Sequence, residues 1–301
     1  MEAPHEPIMV SLLSQLTAFT ACSEHPAIIL FLRLLLFIIP ISVLYLIYRD
    51  YNAFKSLGPG GTPSTPLGYL KIKVLGMFAL GNVYKPASIP SHFRPQSGYL
   101  ATLPERFGVR PRVTGIAPQR QQNQTSSPTI FNALSEALRE LAQQPKNQLT
   151  EKTSCFEKHS AGLFALTPIT RTCRGEVCHA HPSDGSLHMT LHPADAKLVL
   201  ERGWGERHPL AKGGWFRRFV PREFVMIYAP RDEKEIEIVV EIVCAAAWWV
   251  SGINVGTITG LELKDQRLGD IDVDAEAQAT CWGCRKRLCQ RGDVDQMVAK
   301  A

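Results

Sequence analysis

Several signatures that would name an enzyme class outright are missing from this chain. No G-x-G-x-x-G turn is present, so there is no dinucleotide fingerprint to support a nicotinamide or flavin. Neither G-x-S-x-G nor H-E-x-x-H occurs, which removes the usual sequence supports for hydrolysis. The eight cysteines are too few and too irregularly spaced to scaffold 301 residues with disulfides. Nothing repeats at a fixed period. Acid is scarce in one long passage: from Arg49 to Arg120, ten Lys/Arg stand against two acids, Asp50 and Glu105. Beside an apolar segment, such a basic flank points to anionic lipid headgroups and away from nucleic acid.

What is present is an ordinary globular composition, 45% hydrophobic and 20% charged, with length for a membrane segment and one domain or for two small domains. From Pro26 to Tyr48 the chain reads PAIILFLRLLLFIIPISVLYLIY, interrupted only by Arg33 and Pro40. About 20 apolar residues cross a bilayer core, so a transmembrane helix is predicted over 26–48. Arg33 can snorkel towards an interface, and proline is tolerated in such helices. A signal peptide is the rival reading, but the run is too long for one and lacks a basic n-region and a small-residue cleavage site. Positive charge on the C-terminal side places residues 1–25 outside or in the lumen and the main domain in the cytosol, as a single-pass membrane protein. In that orientation the sequon Asn123-Gln124-Thr125 stays unmodified and the cysteines stay reduced.

Residues 49–127 form a basic juxtamembrane region rich in proline and glycine, which disfavours long helices. Its one apolar patch, Tyr69 to Leu80, fits a strand or an interfacial helix, and Lys71 and Lys73 favour the helix. A domain is predicted over 128–255. Ser127 caps a helix that Pro128 opens, with Ile130, Leu134, Leu138 and Leu141 at helical spacing. Strands are expected at Thr153–His159, Gly162–Thr167, Ser186–His192 and Glu223–Tyr228. In the third of these, Leu187, Met189 and Leu191 share one face, leaving His188, Thr190 and His192 on the other. Pro193 starts a short helix that Gly203 ends. Asp232 with Glu235 starts a longer one ending near Gly252. The fold class is therefore α+β, one mixed α/β-layer domain behind an N-terminal transmembrane helix. The tail, 256–301, reads as disordered and basic. Its Cys281, Cys284 and Cys289 resemble half a zinc ribbon without a fourth ligand, and acylation is the alternative use for them.

The densest chemistry lies between Arg174 and Leu210, RGEVCHAHPSDGSLHMTLHPADAKLVLERGWGERHPL, which holds five of the nine histidines. Imidazole is the side chain that changes charge near neutral pH. Here the chain resembles the fungal luciferase family, enzymes that oxidise a hydroxylated pyrone to make light, together with their non-luminous relatives. Four pieces carry the resemblance, in family order. They are Arg49-Asp50-Tyr51 followed by Leu57-Gly58-Pro59; Glu176-Val177-Cys178-His179-Ala180-His181 on to His188; the run Gly203 to Ala211 (GWGERHPLA), the most specific; and Glu223 to Ala247. The loop Pro182–Gly185 differs in length from the luminous enzymes, and the tail after Gly252 has no counterpart.

The resemblance implies a membrane-anchored oxygenase whose partners are O2 and a small planar hydroxypyrone or phenol, with no organic cofactor. Such a substrate must lose its hydroxyl proton before O2 attacks, which calls for a general base of near-neutral pKa. It also calls for donors that hold the developing oxyanion. His179, His181, His188, His208 and Arg207 are the catalytic candidates. Trp204 offers a flat face for the ring, with Glu176 and Asp184 as further substrate-binding candidates. Asp184 before Gly185 also fits a turn residue. The alternative is a divalent metal such as iron or zinc on His179, His181 and His188, with open positions for substrate. In a purely structural reading, His181-Pro182 and His192-Pro193 cap turns and Trp204 is core. A non-catalytic relative that binds a small molecule is the competing function class.

Overall fold

A computed structural model describes residues 26–255, so residues 1–25 and the cysteines of the tail lie outside the described part. Two units are present, one ending at Ser56 and the other beginning at Leu57. The first is helix α1 (Pro26–Ser56), with Pro40 inside it. It passes the expected end at Tyr48 because nothing from Arg49 to Ser56 breaks a helix, and stops just before Gly58, whose φ is +79°. It is the one described helix long and apolar enough to cross a membrane, and none of its apolar window is buried.

The second unit is the α+β part. It begins with α2 (Pro66–Gly76), capped by Thr65, so the apolar patch near Tyr69 is a helix. A two-stranded hairpin follows, β1 (Val113–Gly115) with β2 (Gln119–Gln121). Helix α3 (Pro128–Gln143) starts at the predicted cap, Ser127 Oγ accepting from the Ile130 N–H. The remaining strands are β3 (Leu149–Thr153), β4 (Ala161–Ala165), β5 (Glu176–Ala180), β6 (Leu187–Thr190), β7 (Gly205–Arg207) and β8 (Phe224–Ile227). They form one antiparallel sheet of order β3-β4-β5-β6-β8-β7. Helix α4 (Pro193–Glu201) joins β6 to β7, and α5 (Glu233–Ser251) closes the described chain.

Two expectations are corrected. The strand expected at Thr153–His159 lies earlier, at Leu149–Thr153, because Ser154 starts a loop: its Oγ accepts from the Glu157 N–H and its N–H donates to Ser160 O. More consequentially, the folded unit does not start at Ser127. Leu100 and Leu103 from the proline-rich passage sit in the core, and Gln119, Arg120 and Gln121 of β2 are buried.

The two faces of the sheet divide the labour. On one, Cys178, Leu187, Met189, Val225 and Ile227 join a single buried apolar cluster with residues of α3 and α5, and α5 lies against β4, β5 and β6. Strand residues alternate between faces, so their neighbours point the other way. That second face carries His179, His188, Met226 and Glu206 in one cross-strand row. The β1–β2 hairpin covers it through contacts described next.

Candidate active site

Local strand geometry sets the site. Between Leu163 and Phe164 the β4–β5 register slips, so Gly162 faces His179 while Phe164 faces Glu176. This bulge lets Glu176 and His179, three residues apart, share a face that strict alternation would deny them. His181 follows two residues after His179, and His188 pairs directly with His179 on β6. Between them a tight turn forms: the His181 N–H donates to Ser186 O (2.8 Å) and the Gly185 N–H donates to His181 O (2.8 Å). Gly185 has φ +82°, the left-handed conformation that glycine adopts without strain.

The three rings gather tightly, with centroids 4.8 Å apart for His181 and His188 and 5.3 Å for each of the other two pairs. Phe224 stacks on His188 at 5.2 Å. None of the three is more than 5% exposed.

Their hydrogen bonds define which nitrogen carries each proton. His179 Nδ1 meets Glu176 Oε1 at 2.7 Å; a carboxylate accepts, so the ring donates there and Nε2 is left bare. The Ser186 hydroxyl donates to Asp184 Oδ1 (2.6 Å), so its oxygen accepts from His181 Nδ1 (2.9 Å) and His181 Nε2 is bare. Gln119 Nε2 donates to Glu206 Oε1 (3.0 Å), which turns its Oε1 to His188 Nε2 (2.9 Å) and leaves His188 Nδ1 bare. All three imidazoles donate outwards along relays that end on carboxylates. Their lone pairs point inwards.

Electrostatics agree with neutral rings at His181 and His188. Burial lowers the His181 pKa, and burial together with the neighbouring imidazoles holds His188 well below the ordinary value. Arg120 is paired with Glu157, whose other oxygen lies 3.9 Å from His181 Nε2. Burial also raises Glu206, whose Oε2 accepts from the Tyr228 hydroxyl (3.1 Å).

The structure thus brings together Glu176, His179, His181, Asp184 and His188. His208 lies at the rim, 5.5 Å from His188 by ring centroids, but both its nitrogens are taken: Nδ1 accepts from the Leu210 N–H and Nε2 donates to Ile116 O (2.8 Å). It clamps the hairpin to the sheet. Asp184 does likewise, its Oδ2 accepting from the Gln121 N–H (2.8 Å). Two expected residues stand apart. Trp204 is in the hydrophobic core on the opposite face, its indole N–H donating to Pro104 O (2.6 Å). The Arg207 guanidinium is spent on the backbone carbonyls of Ala211, Lys85 and Arg222. His192 caps α4, its Nδ1 accepting from the Ala194 N–H. Sequence reasoning missed Gln119, Arg120, Glu157, Ser186 and Glu206. A polar run such as PQRQQNQ reads as linker, and only its burial marks it as a roof.

A family model described as "Luciferase domain" matches residues 174–246, the span that contains all three rings. Curated relatives extend the match. The luciferase of Neonothopanus nambi is 32% identical over 231 residues, 71% of this chain and 84% of the relative. That of Armillaria ostoyae is 33% identical over 230 residues, 70% of this chain and 84% of the relative. The chain belongs to the fungal luciferase family. No solved structure matches it. For this luciferase-family chain the resemblance read from the histidine stretch therefore holds, and so does the match beyond that stretch: 231 aligned residues exceed the unit's 128–255 part and reach into the passage that builds the roof.

Proposed function

We propose that this chain is a membrane-anchored, luciferase-like oxygenase that uses O2 on a small planar hydroxypyrone or phenol, without an organic cofactor. The observation that carries the reading is the convergence of three imidazoles on one buried point in a chain of this family. The base is His179. Its Nδ1–H is held by Glu176, so Nε2 accepts the hydroxyl proton, and the carboxylate then stabilises the imidazolium. The O–H bond breaks, its electron pair stays on the substrate as an enolate, and O2 reacts with that enolate. The hairpin must lift to admit a ring, because the three imidazoles are covered. Helix α1 supplies the anchor, and the basic passage that follows it favours the cytosolic side.

The test uses membranes from cells expressing the full chain, given 3-hydroxyhispidin in air, with photons, oxygen uptake and product recorded together. Oxygen uptake that His179→Ala lowers by ~10²-fold or more, with the fold intact by near-UV circular dichroism, is the expected result. Silence on all three channels from folded wild-type protein would leave a small-molecule binder.

One observation favours a second reading. His181 Nε2 and His188 Nδ1 lie 3.1 Å apart with lone pairs facing, and one ligand atom from each of the three histidines falls within 4.8 Å of the others. Burial disfavours a proton between them, and that spacing suits two nitrogens each about 2.1 Å from one divalent ion. Glu176, Asp184 through Ser186, and Glu206 through Gln119 would be its outer partners. One equivalent of iron or zinc in wild-type protein, lost in His188→Ala, would favour it. Full turnover by metal-free protein would eliminate it.

A further inference from the structure

We propose that α2 and the short 3₁₀ turn Gly214–Arg218 form a docking face by which the folded unit lies on an anionic bilayer surface. The proposal extends the anchored reading but stands on different residues. Helix α2 is apolar on both sides. Gly68, Ile72 and Leu75 are buried in the unit. Leu67 (77% exposed), Leu70 and Val74 lie on the solvent side, followed by Met77 (73%) and Phe78. A helix with large apolar side chains on both sides buries both inside a protein or at a membrane, and the unit covers only one side of this one.

The second segment joins the first directly. Lys212 Nζ donates to Phe78 O (3.2 Å) and lies 5.9 Å from the Phe216 ring, and the Leu80 N–H donates to Pro209 O (2.9 Å). Next to Phe216 stands Trp215, 56% exposed, with the Arg218 guanidinium 4.5 Å over its ring. An exposed indole beside cations is the composition of an aromatic belt at headgroup level.

Charge selects the occupant. Neither Leu57–Pro104 nor His208–Arg222 contains a single Asp or Glu, while Lys73, Lys212 and Arg217 are exposed. A second copy of this face would bring like charges together across a two-fold axis, whereas phosphatidylserine would neutralise them. Connectivity adds to this: only residues 57–65 separate the candidate span from α2, a reach of at most roughly 30 Å.

The experiment places the full chain in lipid nanodiscs containing brominated phosphatidylcholine and phosphatidylserine and reads tryptophan fluorescence. The expected result is quenching that falls in Trp215→Phe, and a Trp215-dependent share that drops roughly two-fold or more in Lys73→Glu/Lys212→Glu. Quenching identical in wild type and Trp215→Phe would overturn the proposal. So would Trp215 shielded from bromolipid in a concentration-dependent dimer. Chain mixed with preformed vesicles of the same lipids reads the same signal, so failure of α1 to insert is distinguishable from failure of the face to dock.

Discussion

On one face of the six-stranded sheet, Leu187 and Met189 of β6 meet α5; on the other, His188 and Glu206 meet Gln119 of the β1–β2 hairpin. Both sets are buried almost completely, yet they are held by different forces. The apolar face gains from area removed from water, which is non-directional and tolerates exchange among similar side chains. The polar face gains little net energy from each hydrogen bond, but every unmade one is expensive. Its partners are therefore specific atoms: Gln119 Oε1 for His188, Glu176 Oε1 for His179, and the Asp184–Ser186 pair for His181. The lesson is that burial alone does not distinguish core from site. Partner chemistry does.

The largest effect expected from breaking this contrast is on turnover. His188→Ala removes one inward lone pair and should lower oxygen uptake by ~10²–10⁴-fold, measured on protein whose melting curve shows it to be folded. On the opposite face, Leu187→Ala should lower the unfolding free energy by about 2–5 kcal/mol, read by denaturant titration, while the folded fraction keeps its turnover. Equal loss of activity and of stability in both variants would mean that the two faces are not separable. Gln119→Leu tests the roof. It strands the His188 Nε2 donor and Glu206 Oε1, so it should cost about 1–3 kcal/mol and lower turnover ~10-fold or more.

The smallest effect separates the clamps from the cluster by pH. Burial holds His192 and His208 down to about 4 from an ordinary 6.5. The unfolded chain takes up protons that the folded chain refuses, so their stabilisation is complete above about pH 6.5 and is lost as pH falls towards 4. Asp195, raised by burial to about 6 from 3.8, works in the opposite sense, since the folded state accepts its proton first. In His192→Asn, which keeps a helix-capping acceptor, the drop in Tm between pH 7 and pH 5 should be smaller than in wild type.

Much of the apolar face was legible in the chain. The spacing of Leu134, Leu138 and Leu141 marked α3, Asp232 and Gly252 bounded α5, and the Leu187/Met189 alternation put His188 opposite the core. These signals are local: a period, a cap, a glycine at positive φ. The candidate site was half legible. Glu176, His179, His181, Asp184 and His188 lie within thirteen residues, and the hairpin of β5 and β6 had only to fold to bring them together. Trp204 misled because tryptophan between glycines suits a ligand platform as well as a core. Its neighbours in space, Pro104 and Arg106, lie about a hundred residues away.

Residue order alone therefore specified the apolar helix at the N-terminus, the strand and helix periods, and the clustering of imidazole, because each depends on side chains close in the chain. Tertiary structure decided the rest. Gln119 reaches His188 across 69 positions and Glu206 across 87, and no local pattern encodes such a pairing. Once the sheet forms, a buried imidazole must find a partner of the right polarity, and the long-range contact that supplies it turns a row of histidines into three inward-facing lone pairs.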